Sequence, residues 1–291
     1  VYSLYQLSED SYPLSEKERS KIESCIDAIQ STDLITIIYT SGTTGVPKGV
    51  MLSQGNILYD AHYGLEKLEA FGKNETFLSF LPLSHVLERT AGYYAPLMTG
   101  CQVAFCESID KVVENMQEAS PTVMVSVPRL FEKIYARIYE DVHKMSSIRS
   151  SLFHLAIKVG REFISRRYID PKPLGLLGLK YRFFDWLVFQ KIRKRFGGRL
   201  KYFISGGAPL DKLINEFMWV IGIPTFEGYG LTETSPAVTL NSPWKIRFGS
   251  VGTPVPGTEV KLADDNELLV RGPLLMQGYF KAPEETERVM Q

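Results

Sequence analysis

Apolar residues along this chain come in short β-branched or aromatic runs that alternate with stretches of helical spacing. A polar, charge-rich start with a helical stretch near Lys17 to Ile29 leads into Leu34-Ile-Thr-Ile-Ile-Tyr39, which reads as a buried strand. Past a polar break, Val50-Met51-Leu52 reads as a second strand. Ile57, Leu58, Ala61, Leu65 and Leu68 then recur at helical spacing behind Ser53, a candidate cap, and this face is expected to pack on a sheet. The rhythm continues with a strand at Thr76 to Leu81, a helix from His85 to Met98, a strand at Gln102 to Cys106, a helix at Lys111 to Glu118 and a strand at Thr122 to Val127. Such alternation, with strands apolar on both faces, predicts a doubly wound α/β sheet whose ligands sit at the carboxyl ends of the strands.

Residues 129–198 break that rhythm. They read as helical, are rich in Lys and Arg, and carry the clusters Leu174-Gly-Leu-Leu-Gly-Leu179 and Phe183-Phe-Asp-Trp-Leu-Val-Phe189. A solvated helical face over a hydrophobic core is the plain reading, and a basic amphipathic face touching anionic lipid is its alternative. Strands resume at Leu200 to Ser205 and at Pro224 to Glu227, and residues 249–272 hold short β-like runs punctuated by Gly and Pro. Val260 to Leu262 and Glu267 to Arg271 flank Ala263-Asp-Asp-Asn266, a hairpin turn by composition. The expected organisation is a polar lead-in over 1–33, an α/β core over 34–247 with a helical insertion at 129–198, and a β-rich segment over 248–291. The chain starts at Val1 without an initiator methionine and stops at Gln291 in a helix-like stretch, so both ends read as cut.

Composition narrows the classes. At 291 residues with 44% apolar and 12% aromatic content, the chain has the material for a substantial core. Lys plus Arg and Asp plus Glu each total 33, so no global basic field recruits nucleic acid, and an anionic ligand must be held locally. Cys25, Cys101 and Cys106 form no CxxC pair or metal-ligand cluster and read as reduced core thiols. No apolar stretch of about 18 residues and no secretory signal is present, which makes a cytoplasmic setting the default, with peripheral contact at the inner face of a membrane left open.

Candidate chemistry concentrates in Tyr39-Thr-Ser-Gly-Thr-Thr-Gly-Val-Pro-Lys-Gly49. Gly42, Gly45 and Gly49 allow tight turns that bring backbone N–H groups to anionic oxygen; Thr40, Ser41, Thr43 and Thr44 add hydroxyls, and Lys48 adds a mobile charge. A Walker-type loop is disfavoured: Pro47 interrupts the spacing, Gly49 follows Lys48, and a strand comes before any helix. Instead the segment resembles the signature loop of the adenylate-forming (AMP-binding) superfamily. Glu227-Gly-Tyr-Gly-Leu-Thr-Glu-Thr234 resembles that family's second signature, and Ser205-Gly-Gly-Ala-Pro-Leu210 its glycine turn. Phe248 to Gly257 and Arg271 to Phe280 match later family segments in order, while Leu81-Pro-Leu-Ser-His-Val-Leu-Glu-Arg89, Val127 to Ile134 and the helical insertion resemble the long-chain fatty acyl-CoA synthetases.

The resemblance implies a set of roles. Thr40, Ser41, Gly42, Thr43, Thr44, Gly45 and Lys48 would hold ATP phosphates, and Gly206, Gly207, Ala208 and Pro209 would contact adenine and ribose. In the Glu227, Gly228, Tyr229, Gly230 loop, Tyr229 would pack near the adenine and Thr232 near the α-phosphate. Glu233, with Thr43, would hold a magnesium ion (Mg2+), and one carboxylate plus phosphate oxygens suits that ion. His85 would line the carboxylate-substrate site, and the Glu88-Arg89 pair, as chemistry, reads as a helix ion pair. Lys48, Thr232 and Glu233 form the implied catalytic set. The implied reaction joins a fatty acid to ATP, giving an acyl-adenylate and pyrophosphate, and then transfers the acyl group to coenzyme A as co-substrate. A Thr-Gly-Asp segment and a small C-terminal domain with a lysine, both expected in the family, are not in the sequence, so these residues by themselves are expected to adenylate poorly. A fatty acyl-AMP ligase serving a carrier protein and a catalytically idle nucleotide-binding module are the alternatives. A homodimer is a further expectation. Trp219, Val220, Ile221 and Phe226 read either as acyl-tunnel lining or as plain core.

Overall fold

The structure is a computed structural model that describes residues 14–40, 47–68 and 74–290. Helix α1 (Glu16–Asp27) opens on a reciprocal cap between Ser15 and Glu18. Strands β1 (Leu34–Thr40) and β2 (Lys48–Ser53) pair antiparallel, and β2 turns directly into α2 (Gln54–Leu68). Ser53 caps α2 as the sequence suggests: Asn56 N–H donates to Ser53 Oγ at 3.1 Å, and Ser53 N–H donates to Asn56 Oδ1 at 2.9 Å. Next come β3 (Thr76–Ser79), a π-helical turn over Glu88–Tyr94 that runs into α3 (Ala95–Thr99), β4 (Gln102–Phe105), α4 (Val112–Ala119) and β5 (Val123–Ser126). The helical block follows as α5 (Pro128–His143), α6 (Ser147–Ile164), α7 (Gly175–Phe184), a π-helical turn Asp185–Phe189 and α8 (Gln190–Lys194). Then β6 (Tyr202–Ser205), α9 (Lys212–Val220), β7 (Thr225–Gly230), β8 (Ala237–Leu240) and β9 (Thr253–Pro254) complete the large sheet. The hairpin β10 (Glu259–Leu262) and β11 (Leu268–Arg271), strand β12 (Gly278–Tyr279) and helix α10 (Pro283–Val289) finish the chain.

The central sheet has the order β4-β3-β5-β6-β7-β8-β9; its first five strands are parallel, and β8 and β9 join antiparallel. This is the expected α/β architecture with a β-rich end. Every residue of β3, β5 and β6 is buried, because helices cover both faces of the parallel strands. Strand β4 departs from the two-faced apolar expectation: it is the outermost strand, and Gln102 and Phe105 are exposed. So does β1, which was expected to be buried. It lies at the edge of a separate sheet ordered β1-β2-β12, where only Ile38 is buried and Leu34 and Tyr39 face out. Cys25 is exposed on α1 rather than a core thiol, since none of that helix is buried; Cys101 is buried and Cys106 partly so.

Helix α9 sits between β7 and the helices α5 and α6, which is why Phe217 through Ile221 are buried without a break. Of the two readings of Trp219, Val220, Ile221 and Phe226, core holds: Trp219 Nε1 donates to the Thr225 carbonyl at 3.1 Å and its ring meets Phe226 edge-on at 5.5 Å. The helical block is locked onto α9 by Arg193, which grips both oxygens of Asp185 (2.6 and 2.9 Å) and donates to the Ile221 carbonyl at 2.8 Å. Phe163 and Tyr181 stack at 3.9 Å between α6 and α7.

Glu88 and Arg89 part company in the fold instead of forming an ion pair. Arg89 turns toward β1, donating to Thr36 Oγ1 at 2.7 Å and to the Leu83 carbonyl at 2.8 Å. Glu88 turns inward and is fully buried. Burial pushes its carboxyl up to about 7, which the Ser79 hydroxyl offsets only in part. An acid that holds its proton more tightly when folded favours the fold at low pH, and that contribution is lost as pH rises from the ordinary carboxylate range through about 7. Glu88→Gln is therefore expected to leave stability at pH 5 near wild type and raise it at pH 8 by on the order of 2 kcal/mol. Denaturant midpoints at the two pH values check this; an equal change at both would mean that Glu88 does not titrate in this range.

Candidate active site

Strands β5, β6 and β7 run in register, with Ser126 beside Ser205 and Ser205 beside Glu227, so their carboxyl ends form one ledge. In an open parallel sheet such a ledge is where ligands bind. From it, Gly206, Gly207, Ala208 and Pro209 leave β6, while Gly228, Tyr229 and Gly230 close β7 and lead into a short turn over Thr232–Thr234. That turn is held rigidly. Thr234 Oγ1 accepts from the Leu231 N–H at 2.9 Å and donates to the Pro236 carbonyl at 2.7 Å. Gly230 is required here because a Cβ would lie 1.6 Å from the Pro236 oxygen. The segment 274–276 stitches the turn from outside, with Met276 N–H donating to the Glu233 carbonyl (2.9 Å) and Ser235 Oγ to the Leu274 carbonyl (2.8 Å).

A pocket of about 390 Å³ opens at this ledge. Its wall gathers Thr40, His85, Gly206, Gly207, Gly228, Tyr229, Gly230, Thr232 and Glu233, residues drawn from four separate stretches of sequence. Behind them the pocket is apolar: Ala61, Leu65 and Leu68 of α2 face Leu87, Ala91 and Ala95 across it. Asp60 is the polar exception on the α2 wall, buried with its carboxylate accepting from the Ala237 N–H at 3.1 Å; burial holds its carboxyl well above the usual range. Ala208 and Pro209 line a neighbouring cavity of about 950 Å³, which His85 and Gly207 share with the first. His85 thus stands between the two spaces.

The remaining sequence candidates lie elsewhere. Ser41, Gly42, Thr43, Thr44 and Gly45 fall outside the described residues. The Glu227 side chain is not in the wall of either cavity; it accepts from Asn215 Nδ2 at 2.7 Å and from the Leu210 N–H at 3.3 Å, so it pins the loop leaving β6 against β7. Burial raises its carboxyl, and those two bonds oppose the rise. Lys48 is engaged by Glu285 of α10, Nζ to Oε2 at 2.5 Å, and its ammonium lies 5.2 Å from the centre of the Tyr279 ring. That pairing draws the Glu285 carboxyl below the ordinary range.

Tyr279 and Glu285 are the residues that sequence reasoning missed. Tyr279 Oη donates to Glu233 Oε1 at 2.8 Å, and burial together with this carboxylate raises the phenol. Backbone pairing of β12 with β2, and the Phe280 N–H to Gly49 carbonyl bond at 2.7 Å, bring them there. A chain of contacts therefore runs Glu285–Lys48–Tyr279–Glu233 beside the pocket. In the sequence, Tyr279 lies in the family segment Arg271 to Phe280, which carries no role there, and Glu285 lies in the helix-like stretch from Pro283. Among the described residues no three His, Cys, Asp or Glu side chains gather as a metal cluster. A magnesium ion held by Glu233 through the carboxylate oxygen that Tyr279 leaves available, with phosphate oxygens and waters filling its shell, is compatible with that donor set.

The chain is 36% identical over 272 residues to a long-chain-fatty-acid–CoA ligase of Mycobacterium bovis, covering 92% of this chain and 44% of that protein. It is 34% identical over 275 residues to a peroxisomal long chain acyl-CoA synthetase of Arabidopsis thaliana, covering 89% of this chain and 37% of that one. The chain thus spans less than half the length of these relatives. In three dimensions it resembles ATP-bound MatB from Rhodopseudomonas palustris (TM-score 0.61, 24% identity, 89% of this chain and 43% of that one). It also resembles a malonyl-CoA ligase carrying methylmalonyl-CoA and AMP (TM-score 0.63, 22% identity, 91% of this chain and 49% of that one). The family model described as AMP-binding enzyme matches residues 2–280, nearly the whole chain, and the chain belongs to that family.

Proposed function

We propose that the protein activates a long-chain fatty acid with ATP and passes the acyl group to coenzyme A. The observation that carries this reading is the meeting, in one pocket, of a bare glycine turn, an aromatic ring, a carboxylate and an apolar sleeve. The turn Gly206–Pro209 and Tyr229 would take the adenosine, Thr232 the α-phosphate, and the sleeve between α2 and Leu87, Ala91 and Ala95 the acyl chain. In the first step a carboxylate oxygen forms a bond to the α-phosphorus and the bond to pyrophosphate breaks. In the second, the coenzyme A thiol gives up its proton to solvent as its sulfur bonds the acyl carbon, the acyl–phosphate bond breaks and AMP leaves. The protein's part is to align the reactants and offset developing negative charge. His85, at the junction of the two cavities, would orient the fatty carboxylate. Lys48 would present its ammonium to the outer phosphates, steered by Glu285. Magnesium, when bound with the nucleotide, would neutralise phosphate charge.

The test is product identity with the whole protein: palmitate and ATP offered with coenzyme A or with an acyl carrier protein. A coenzyme A thioester supports the reading, whereas transfer to the carrier alone would make the protein an acyl-AMP ligase. Tyr279 sharpens the metal assignment. Tyr279→Phe removes the hydroxyl that orients Glu233, and is expected to raise the magnesium concentration needed for half-maximal rate about tenfold, with the rate recovering at high magnesium. An unchanged magnesium dependence would separate Tyr279 from the metal site.

A further inference from the structure

We propose that the outer face of α7 and the turn after it docks the protein on an anionic lipid bilayer. Leu176, Leu179, Phe183 and Trp186 are 75%, 63%, 53% and 64% exposed, and their spacing of three, four and three residues lines them along one side of the helix. The other side is satisfied by the core, where Leu177, Phe184 and Phe189 are buried. The helix is thus apolar on two sides, and only one has a partner among the described residues. Single exposed apolar residues need no explanation; an aligned stripe of two leucines, a phenylalanine and a tryptophan does.

Charge indicates what covers it. The chain is neutral overall, yet residues 161–195 hold ten Lys or Arg against three Asp or Glu. All three acids are already taken, Glu162 by Arg166, Asp170 by Lys172 and Asp185 by Arg193. Lys180, Arg182, Lys191 and Lys194 are exposed and enter no ion pair among the described residues. Aromatic and leucine side chains edged by free cations suit a helix lying in the headgroup region, with rings and leucines in the acyl boundary and ammonium and guanidinium groups at lipid phosphates. A second copy of this chain suits the face less well, because it would set two segments of the same net charge against each other. The helix is too short and too charged to span, consistent with the absence of any membrane-crossing helix among the described residues. This docking surface is independent of the chemistry proposed above.

Co-sedimentation with phosphatidylcholine vesicles, with and without phosphatidylglycerol, tests it on the whole protein. The expected result is binding that requires the anionic lipid and weakens with added salt. Phe183→Ser with Trp186→Ser, and separately Lys180→Glu with Arg182→Glu, are each expected to weaken binding about tenfold or more, with thermal midpoints unchanged because these side chains are exposed. Equal binding to neutral and anionic vesicles, no binding to either, or wild-type binding by both double variants would overturn the proposal. So would a dimer in sedimentation analysis that the Phe183 and Trp186 substitutions dissociate.

Discussion

Glu233→Gln in the whole protein is expected to cut acyl-adenylate formation by about a hundredfold or more while leaving the thermal midpoint near wild type. The two outcomes separate because the substitution changes charge and little else. Glu233 is partly exposed, its backbone carbonyl is held by the Met276 N–H, and its Oε1 accepts from Tyr279. A glutamine oxygen can accept that same bond, so the turn over Thr232–Thr234 keeps its shape. Lost is the negative charge that, under the proposed function, would face the phosphates and their cation. A rate within a few-fold of wild type would mean that this carboxylate is not the metal's anchor.

The second large effect is on stability. Phe203→Ala is expected to cost on the order of 3 to 5 kcal/mol. Phe203 is fully buried in β6, in the middle of the parallel sheet, and meets the buried Phe131 of α5 edge-on at 5.0 Å. Removing the ring leaves a cavity where sheet and helical block join, and neither can collapse into it without disturbing the other. Because domains are stable by only about 5 to 15 kcal/mol, this loss should appear as a fall of roughly 10 °C in thermal midpoint, followed by circular dichroism. A fall of only a degree or two would show that the block repacks around β6.

Much of this architecture was legible because local pattern and tertiary role agree. The apolar runs Thr122 to Val127 and Leu200 to Ser205 each contain a fully buried parallel strand, Val123–Ser126 and Tyr202–Ser205, and Ser53 caps the helix that its position suggested. Leu34 to Tyr39 misled, since an apolar run does not say which strand ends up at a sheet edge; that depends on β12, more than two hundred residues away, pairing with the other side of β2. The same long-range pairing hid Tyr279 and Glu285, whose roles exist only once β12 lies beside Lys48. Residue type alone also could not tell which of the apolar side chains in 174–189 pack inward: Phe184 and Phe189 do, and Phe183 and Trp186 do not. Glu227 was placed in the nucleotide loop by motif, yet Asn215 and Leu210 occupy its carboxylate.

Under the proposed function, the ledge over β6 and β7 joins a nucleotide to an acyl chain held in the adjoining sleeve. Fatty-acid-dependent exchange of labelled pyrophosphate into ATP, measured on the whole protein with magnesium and without coenzyme A, tests it most directly. The expected result is exchange that appears only when a long-chain fatty acid is added. Exchange that proceeds equally without fatty acid, or ATP binding with no exchange under any fatty acid supplied, would contradict it.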